Sequence, residues 1–433
     1  MSHVRADAAG QPQPDREPPS GTRGYLVRQP LFTLRSELVG YELLVGVDDG
    51  QRGEDGGEDG GEGGGEDAAA LRGLIARGDL VVVLEAFADD RPVFLRVDAA
   101  TLASDELREL PAETVVLQLD VGGSVAPGLL EECGRVVADG YRLALTVGAQ
   151  GADAALLDLA EYTEVDFAAT TPQQRADLVA WLRRHSTTIV ARNVDTHEEL
   201  AEAKGLGCDL AHGFFFHQPQ RRGEATVPAH ARSHLQLLAE MQREELDYPR
   251  VARLVKQDVD LAYKFLTYLN SAALGLRRRI ESLEEALVLL GERRVRRWVQ
   301  AAAVQHLTPH KPTELTVNAA IRAQLCETIG RELGLGSRSL ELFTVGLFSL
   351  ADAMFDRPME KALRGVPITD EVRRTLLGER TAFSDPLELV VAYERGDWRQ
   401  VDLIAERLGR PEAPFFQMYS SALLWAHEVF DTV

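Results

Sequence analysis

Apolar residues in the first half of the chain come in short runs of strand length, separated by stretches of helical character. The runs at 25–34 and 38–45 read as a pair of strands, and further strands are expected at 92–97, 114–119, 141–147, 164–169 and 187–192. Helical segments are expected at 71–78, 128–140, 172–185 and 197–207. Strands that alternate with helices over about 200 residues predict a parallel sheet, and this many repeats predicts a sheet closed into a TIM-type (β/α) barrel.

The segment 218–223 breaks that rhythm, and beyond it strand signals nearly vanish. Within 251–270, Leu254, Leu261, Phe265 and Leu269 sit at roughly helical spacing. Ser282 and Glu285 stand in a capping-box pattern, and Leu283, Ala286, Leu287 and Leu290 fall on one face of the helix that would follow. More helices are expected around 390–398 and 418–430. The fold class is therefore multidomain, α/β plus all-α: a barrel over 23–222, then a helical domain over 223–433. Residues 1–22 carry Pro12, Pro14, Pro18 and Pro19, lack an apolar stretch of signal-peptide type, and read as a disordered leader.

Charge changes the picture in one place. The net charge is -21, and the tract 48–67 holds nine acidic residues against one arginine, so it supplies eight of those charges. Its glycines are costly to order and its like charges repel, which predicts a solvated acidic insertion. An acidic chain repels polyanions, so nucleic acid is not expected as a partner. No apolar run approaches the roughly 18 residues of a membrane helix. Cys133, Cys208 and Cys326 are scattered without CxxC spacing, which argues against disulfides or a zinc site and for a cytoplasmic protein.

Gly40-Tyr41-Glu42-Leu43-Leu44, preceded by Arg28-Gln29-Pro30-Leu31-Phe32, resembles the first motif of EAL domains, TIM-barrel phosphodiesterases that hydrolyse cyclic di-GMP. The second half resembles HDOD domains through Leu269-Asn270-Ser271-Ala272-Ala273 and Ala286-Leu287-Val288-Leu289-Leu290-Gly291. The order of the two resembles a known EAL-HDOD family of bacterial signalling proteins. EAL chemistry needs carboxylates that gather Mg²⁺ or Mn²⁺ and activate a water. By this resemblance Glu42 retains the first ligand, while Asp98 stands where an asparagine is expected and Gln118 where a glutamate is. Thr146 and Val147 replace paired aspartates, Glu164 replaces the catalytic lysine, Asp195 a glutamate and His212 a glutamine. The resemblance thus implies a barrel without hydrolytic activity, and the acidic insertion, following the strand of Glu42, would repel a dianionic nucleotide at the barrel rim. In the helical half, Ser349 and Leu350 stand where HD phosphohydrolases carry their His-Asp pair.

His230 with His234, and His306 with His310, have HxxxH spacing but no evident third ligand, and Asp352 is a lone carboxylate. A basic cluster is the more interesting candidate: Arg277, Arg278, Arg279, Arg293, Arg294, Arg296 and Arg297, with Val295, Trp298, Val299 and Ala302 forming the apolar stripe of the same helix. It could read an acidic partner, a phosphate or RNA. The functional expectation is a non-catalytic signalling adaptor, needing no cofactor or metal, that binds other signalling proteins rather than membrane, nucleic acid or cyclic di-GMP. The alternatives are a cyclic di-GMP receptor or residual phosphodiesterase, and a nucleic-acid regulator acting through the arginines.

Overall fold

The computed structural model describes residues 24–47, 71–78, 80–81, 84, 91–121, 128–220, 231–270, 283–308, 310–411 and 413–430. The leader 1–22, the acidic insertion 48–67, Arg277 to Arg279, His230 and Ser282 lie outside the described residues. The first half closes into a barrel of eight strands in sequential order: β1 (Gly24–Thr33), β2 (Leu38–Val47), β3 (Val93–Arg96), β4 (Val115–Asp120), β5 (Arg142–Val147), β6 (Tyr162–Asp166), β7 (Thr188–Arg192) and β8 (Leu210–His212).

The sheet is parallel from β2 to β8, but β1 runs antiparallel to both neighbours. The cause is local: 34–37 form a tight turn, closed by the Thr33 amide on the Glu37 carbonyl at 2.8 Å, with Ser36 at φ 64°. Strands joined so closely can pair only antiparallel. One strand expectation needs correction, and one strand was not foreseen. The run at 164–169 is shifted, because the Asp166 carboxylate accepts the amides of Ala168 and Ala169 and turns the chain there. Strand β8 has three residues, too few for a periodic signal. Helices α1 (Leu129–Ala138), α2 (Pro172–Leu182) and α3 (His197–Leu206) cover the outside. Thr171 with Gln174, and Thr196 with Glu199, close reciprocal capping boxes at the starts of α2 and α3.

The second half contains α4 (Ala231–Met241), α5 (Tyr248–Val255), α6 (Val259–Leu269), α7 (Leu283–Leu290), α8 (Glu292–Leu307), α9 (Thr313–Glu332), α10 (Ser339–Phe348), α11 (Ser384–Glu394), α12 (Trp398–Arg407) and α13 (Phe415–Phe430), with shorter helical pieces between. The stretch 251–270 is two helices: Asp258 caps α6 by accepting the Leu261 amide, so the spacing that looked continuous is interrupted. Likewise 390–398 breaks between α11 and α12, where Gly396 adopts φ 70° and Asp397 caps the next helix. Among the described residues, no helix is long and apolar enough to cross a membrane.

The halves share one hydrophobic core. Tyr25, Leu26 and Phe32 of β1 belong to the same buried cluster as Tyr393, Trp398, Phe415 and Tyr419. Beyond its pairing with β3, which ends at Leu43↔Leu95, the β1–β2 ribbon projects past the other strands. Trp398 stacks on Tyr25 with ring centres 4.9 Å apart, and a Cβ on Gly46 would come within 2.4 Å of its indole nitrogen. Strand β8 covers only Leu31 to Thr33 of β1, so the rest of that edge needs other partners. Two tyrosines provide them: the Tyr393 hydroxyl accepts the Leu26 amide and donates to its carbonyl, and the Tyr419 hydroxyl accepts the Arg28 amide.

Candidate functional site

Side chains alternate along a strand, so residues two apart share a face. Leu31, Phe94, Val116, Ala144, Tyr162, Val190 and Leu210 form an apolar layer inside the barrel. Two residues further along β2 to β8 from Gly40 and these positions come Glu42, Arg96, Gln118, Thr146, Glu164, Arg192 and His212. The barrel therefore carries a polar layer toward the C-terminal ends of its strands, where ligands of this fold bind.

That layer is internally bonded. The Arg192 guanidinium donates to Glu42 Oε1 at 2.8 Å, and His212 Nε2 lies 3.2 Å from Glu42 Oε2. On the other side, Gln118 Nε2 and Thr146 Oγ1 both donate to Glu164 Oε2, at 2.6 and 2.7 Å. All but Arg96 are buried. Burial alone would raise the Glu42 carboxyl, but Arg192 and His212 outweigh it and hold Glu42 below the usual range. Glu164 is pushed the other way, by burial and then by the charge of Glu42. Burial lowers His212, with Arg192 adding to that and Glu42 opposing it, so its neutral form is favoured.

The structure thus brings together Glu42, Gln118, Thr146, Glu164 and His212, and leaves three of the sequence candidates outside this bonded layer. Val147 faces the helices as part of the outer core. Asp98 caps the short helix Ala99–Leu102 through the Thr101 amide at 2.7 Å and pairs with Arg72 at 3.3 Å. Asp195 accepts the Phe214 amide at 2.9 Å. Arg192 is the residue the sequence reading missed. Its signal was its place at the end of a strand, two residues after inward Val190.

A second arginine sits where the resemblance placed the vestigial HD pair. Arg322 of α9 donates to Ser349 Oγ at 3.0 Å and to Glu394 at 2.7 Å, and His217 lies 3.6 Å from that same carboxylate. Burial and the neighbouring Arg322 push His217 well below its ordinary value. Among the described residues, no group of three or more His, Cys, Asp or Glu side chains is arranged to hold a metal ion. The histidine pairs recombine: His234 stacks on His306 at 5.2 Å, with Asp258 and Asp260 as their carboxylate neighbours. Asp352 is half-buried and accepts the Ala353 amide. Burial pushes the Cys133 thiol up to about 11 and those of Cys208 and Cys326 up to about 12, so all three stay protonated at neutral pH.

The arginine cluster is less exposed than its sequence suggests. Val295, Trp298, Val299 and Ala302 face inward as expected. However, Arg296 is buried, bonded to Glu292 and to the carbonyls of Met241 and Glu244. Arg297, 14% exposed, and Arg293, 52% exposed, both donate to the buried Glu327. Arg296 and Arg297 are therefore structural ion-pair partners rather than an open docking face. The physical reason is that Glu327, on α9, is buried and needs cations beside it. Arg293 and Arg294 remain at the surface.

Comparison with known proteins adds the family. Residues 227–355 match the family model of the HDOD domain. An uncharacterized protein of Bacillus subtilis, YuxH, is 26% identical over 423 residues, covering 94% of this chain and 99% of its own length. Cyclic di-GMP phosphodiesterase CdgJ of Vibrio cholerae is 26% identical over 408 residues, covering 94% of this chain and 93% of its own. The chain therefore carries an HDOD domain and is similar, almost end to end, to a cyclic di-GMP phosphodiesterase. The solved structure of the Bacillus subtilis YkuI protein, with an EAL domain in complex with cyclic di-GMP and calcium, aligns with 55% of this chain and 72% of its own at 15% identity and a TM-score of 0.35.

Proposed function

We propose that this EAL-HDOD chain is a non-catalytic regulator in cyclic di-GMP signalling, acting by contact with other signalling proteins. The observation that carries the reading is the Arg192 guanidinium seated on Glu42. A divalent metal pair needs several hard oxygen donors converging on open space. Here Glu42 is already neutralised by a tethered cation, Gln118 and Thr146 offer an amide and a hydroxyl, and Asp98 is committed to a helix cap. These residues do not fit the metal pair of an EAL phosphodiesterase, and no hydrolytic step follows from them. Arg322 on Ser349 supports the same reading for the helical half.

Purified protein incubated with cyclic di-GMP and Mg²⁺ or Mn²⁺ is expected to give no linear product by chromatography. Turnover that disappears in Glu42→Ala would overturn the reading. A second reading, a cyclic di-GMP receptor, draws support from the relative named a cyclic di-GMP phosphodiesterase, with which the chain aligns almost end to end. Equilibrium dialysis with labelled cyclic di-GMP separates the two, since a receptor retains the nucleotide without cleaving it.

A further inference from the structure

Among the described residues eight large apolar side chains stand exposed, and half of them fall on two consecutive helices. Val259 and Tyr263 of α6 are 82% and 65% exposed, and Val288 and Leu289 of α7 are 67% and 50% exposed. The other four, Leu130, Leu377, Leu403 and Leu424, lie singly on separate elements, which is ordinary for a protein surface.

Helices α6 and α7 pack against each other, and both rest on α5. Leu261 and Phe265 turn inward from α6 and Leu287 from α7, all fully buried. At 3.6 residues per turn, Val259 and Tyr263 fall on the side of α6 opposite that buried face. A surface helix ordinarily turns polar residues outward. Here the outward positions of two neighbouring helices are apolar together. The charges of α6 stay on its flank, where Asp260 holds Lys264 at 3.4 Å and His306 of α8 at 2.9 Å. They border the apolar face and do not cross it.

The charge of the chain favours one occupant. Residues 1–222 carry 20 Lys and Arg against 38 Asp and Glu, a net of -18, whereas 223–433 carry 27 against 30, a net of -3. Two copies that meet through α6 and α7 join their nearly neutral halves, and neither acidic barrel half need enter the contact. The four side chains expose about 500 Å², as large as the patches that mark association sites. Doubled across a twofold axis, that gives about 1,000 Å², the lower bound for a specific interface. We propose that the outward faces of α6 and α7 form a reversible homodimer contact between two copies of this chain. The dimer is weak, because its area is small, and it does not depend on whether the barrel hydrolyses or binds a nucleotide.

The test is sedimentation of the full chain over a wide range of concentration. A monomer–dimer equilibrium is expected, with a dissociation constant of roughly 10–100 μM, as suits so small an interface. Added salt should tighten it, because screening weakens the repulsion between two acidic chains. Tyr263→Glu/Val288→Glu should weaken the dimer by at least about tenfold and leave the melting temperature unchanged, since both side chains are exposed. Leu130→Glu, on helix α1 of the barrel half, is the control: it adds the same kind of charge at another exposed leucine and should leave the dimer intact. A monomer at every concentration would assign the face to a different protein and overturn the proposal. Dimerisation unchanged in the double variant, or lost equally in Leu130→Glu, would overturn it too.

Discussion

At the residue scale, the barrel interior shows what a fixed cation does in place of a mobile one. Arg192→Ala would leave Glu42 ionised and buried beside an empty volume, at a cost of about 3–5 kcal/mol in urea unfolding. Replacing both Arg192 and Glu42 by Leu should recover most of that loss, because the cost lies in the orphaned charge. Glu164 behaves oppositely. Its folded carboxyl is raised above the unfolded one, so the protein loses stability as pH rises through the raised value, and this penalty is absent below about pH 4. Glu164→Gln should therefore raise the melting temperature at pH 8 and leave it unchanged near pH 4, whereas the contribution of Glu42, whose carboxyl is held low, is lost only as pH falls further through its depressed value. A gain of equal size at both pH values would contradict this. Much of the layer was legible beforehand. Gly40-Tyr41-Glu42, Phe94-Leu95-Arg96, Val116-Leu117-Gln118, Tyr162-Thr163-Glu164, Val190-Ala191-Arg192 and Leu210-Ala211-His212 repeat one pattern, an apolar and a polar residue two apart. What no local pattern carries is that Arg192 reaches a glutamate 150 positions earlier.

At the scale of elements, existence was easier to read than extent. The β1–β2 pair was plain from two apolar runs with a short polar turn between them. Strand β8 was not, since three residues of Leu-Ala-His hold a place only because β1 and β7 flank them. Helix breaks at Asp258 and Gly396 were hidden by apolar spacing that continues across them. The β1 edge tests how far one element depends on distant ones. Tyr393→Phe strands both an amide and a carbonyl of Leu26, whereas Tyr419→Phe strands only the amide of Arg28. Each buried unpaired group costs about 1–3 kcal/mol, so Tyr393→Phe should lower thermal stability more than Tyr419→Phe. The reverse order would show that water or a neighbour takes over at Leu26.

At the scale of the whole molecule, the sequence shows two halves of different character but not that they share one core. Barrel and helices look separable because the strand rhythm stops near 218. The contacts that join them, Trp398 on Tyr25 and two tyrosines on β1, arise in helices that follow the HDOD match of 227–355. A fragment ending at residue 220 would expose both the ribbon and the bare β1 edge. It should self-associate in analytical ultracentrifugation, as uncovered strands do. A monodisperse monomer of that fragment would refute this account of the junction.

The tyrosine hydroxyls on β1 also set a timetable. The Arg28 amide waits for a partner 391 positions later in the chain. A ribosome adding about 5–20 residues per second finishes the last barrel strand on the order of 10–40 s before Tyr419 emerges. For that interval the nascent barrel has every strand it needs and one edge still open. Synthesis itself is then the period of greatest exposure to wrong pairing, and slower elongation past residue 212 lengthens the risk rather than easing the fold.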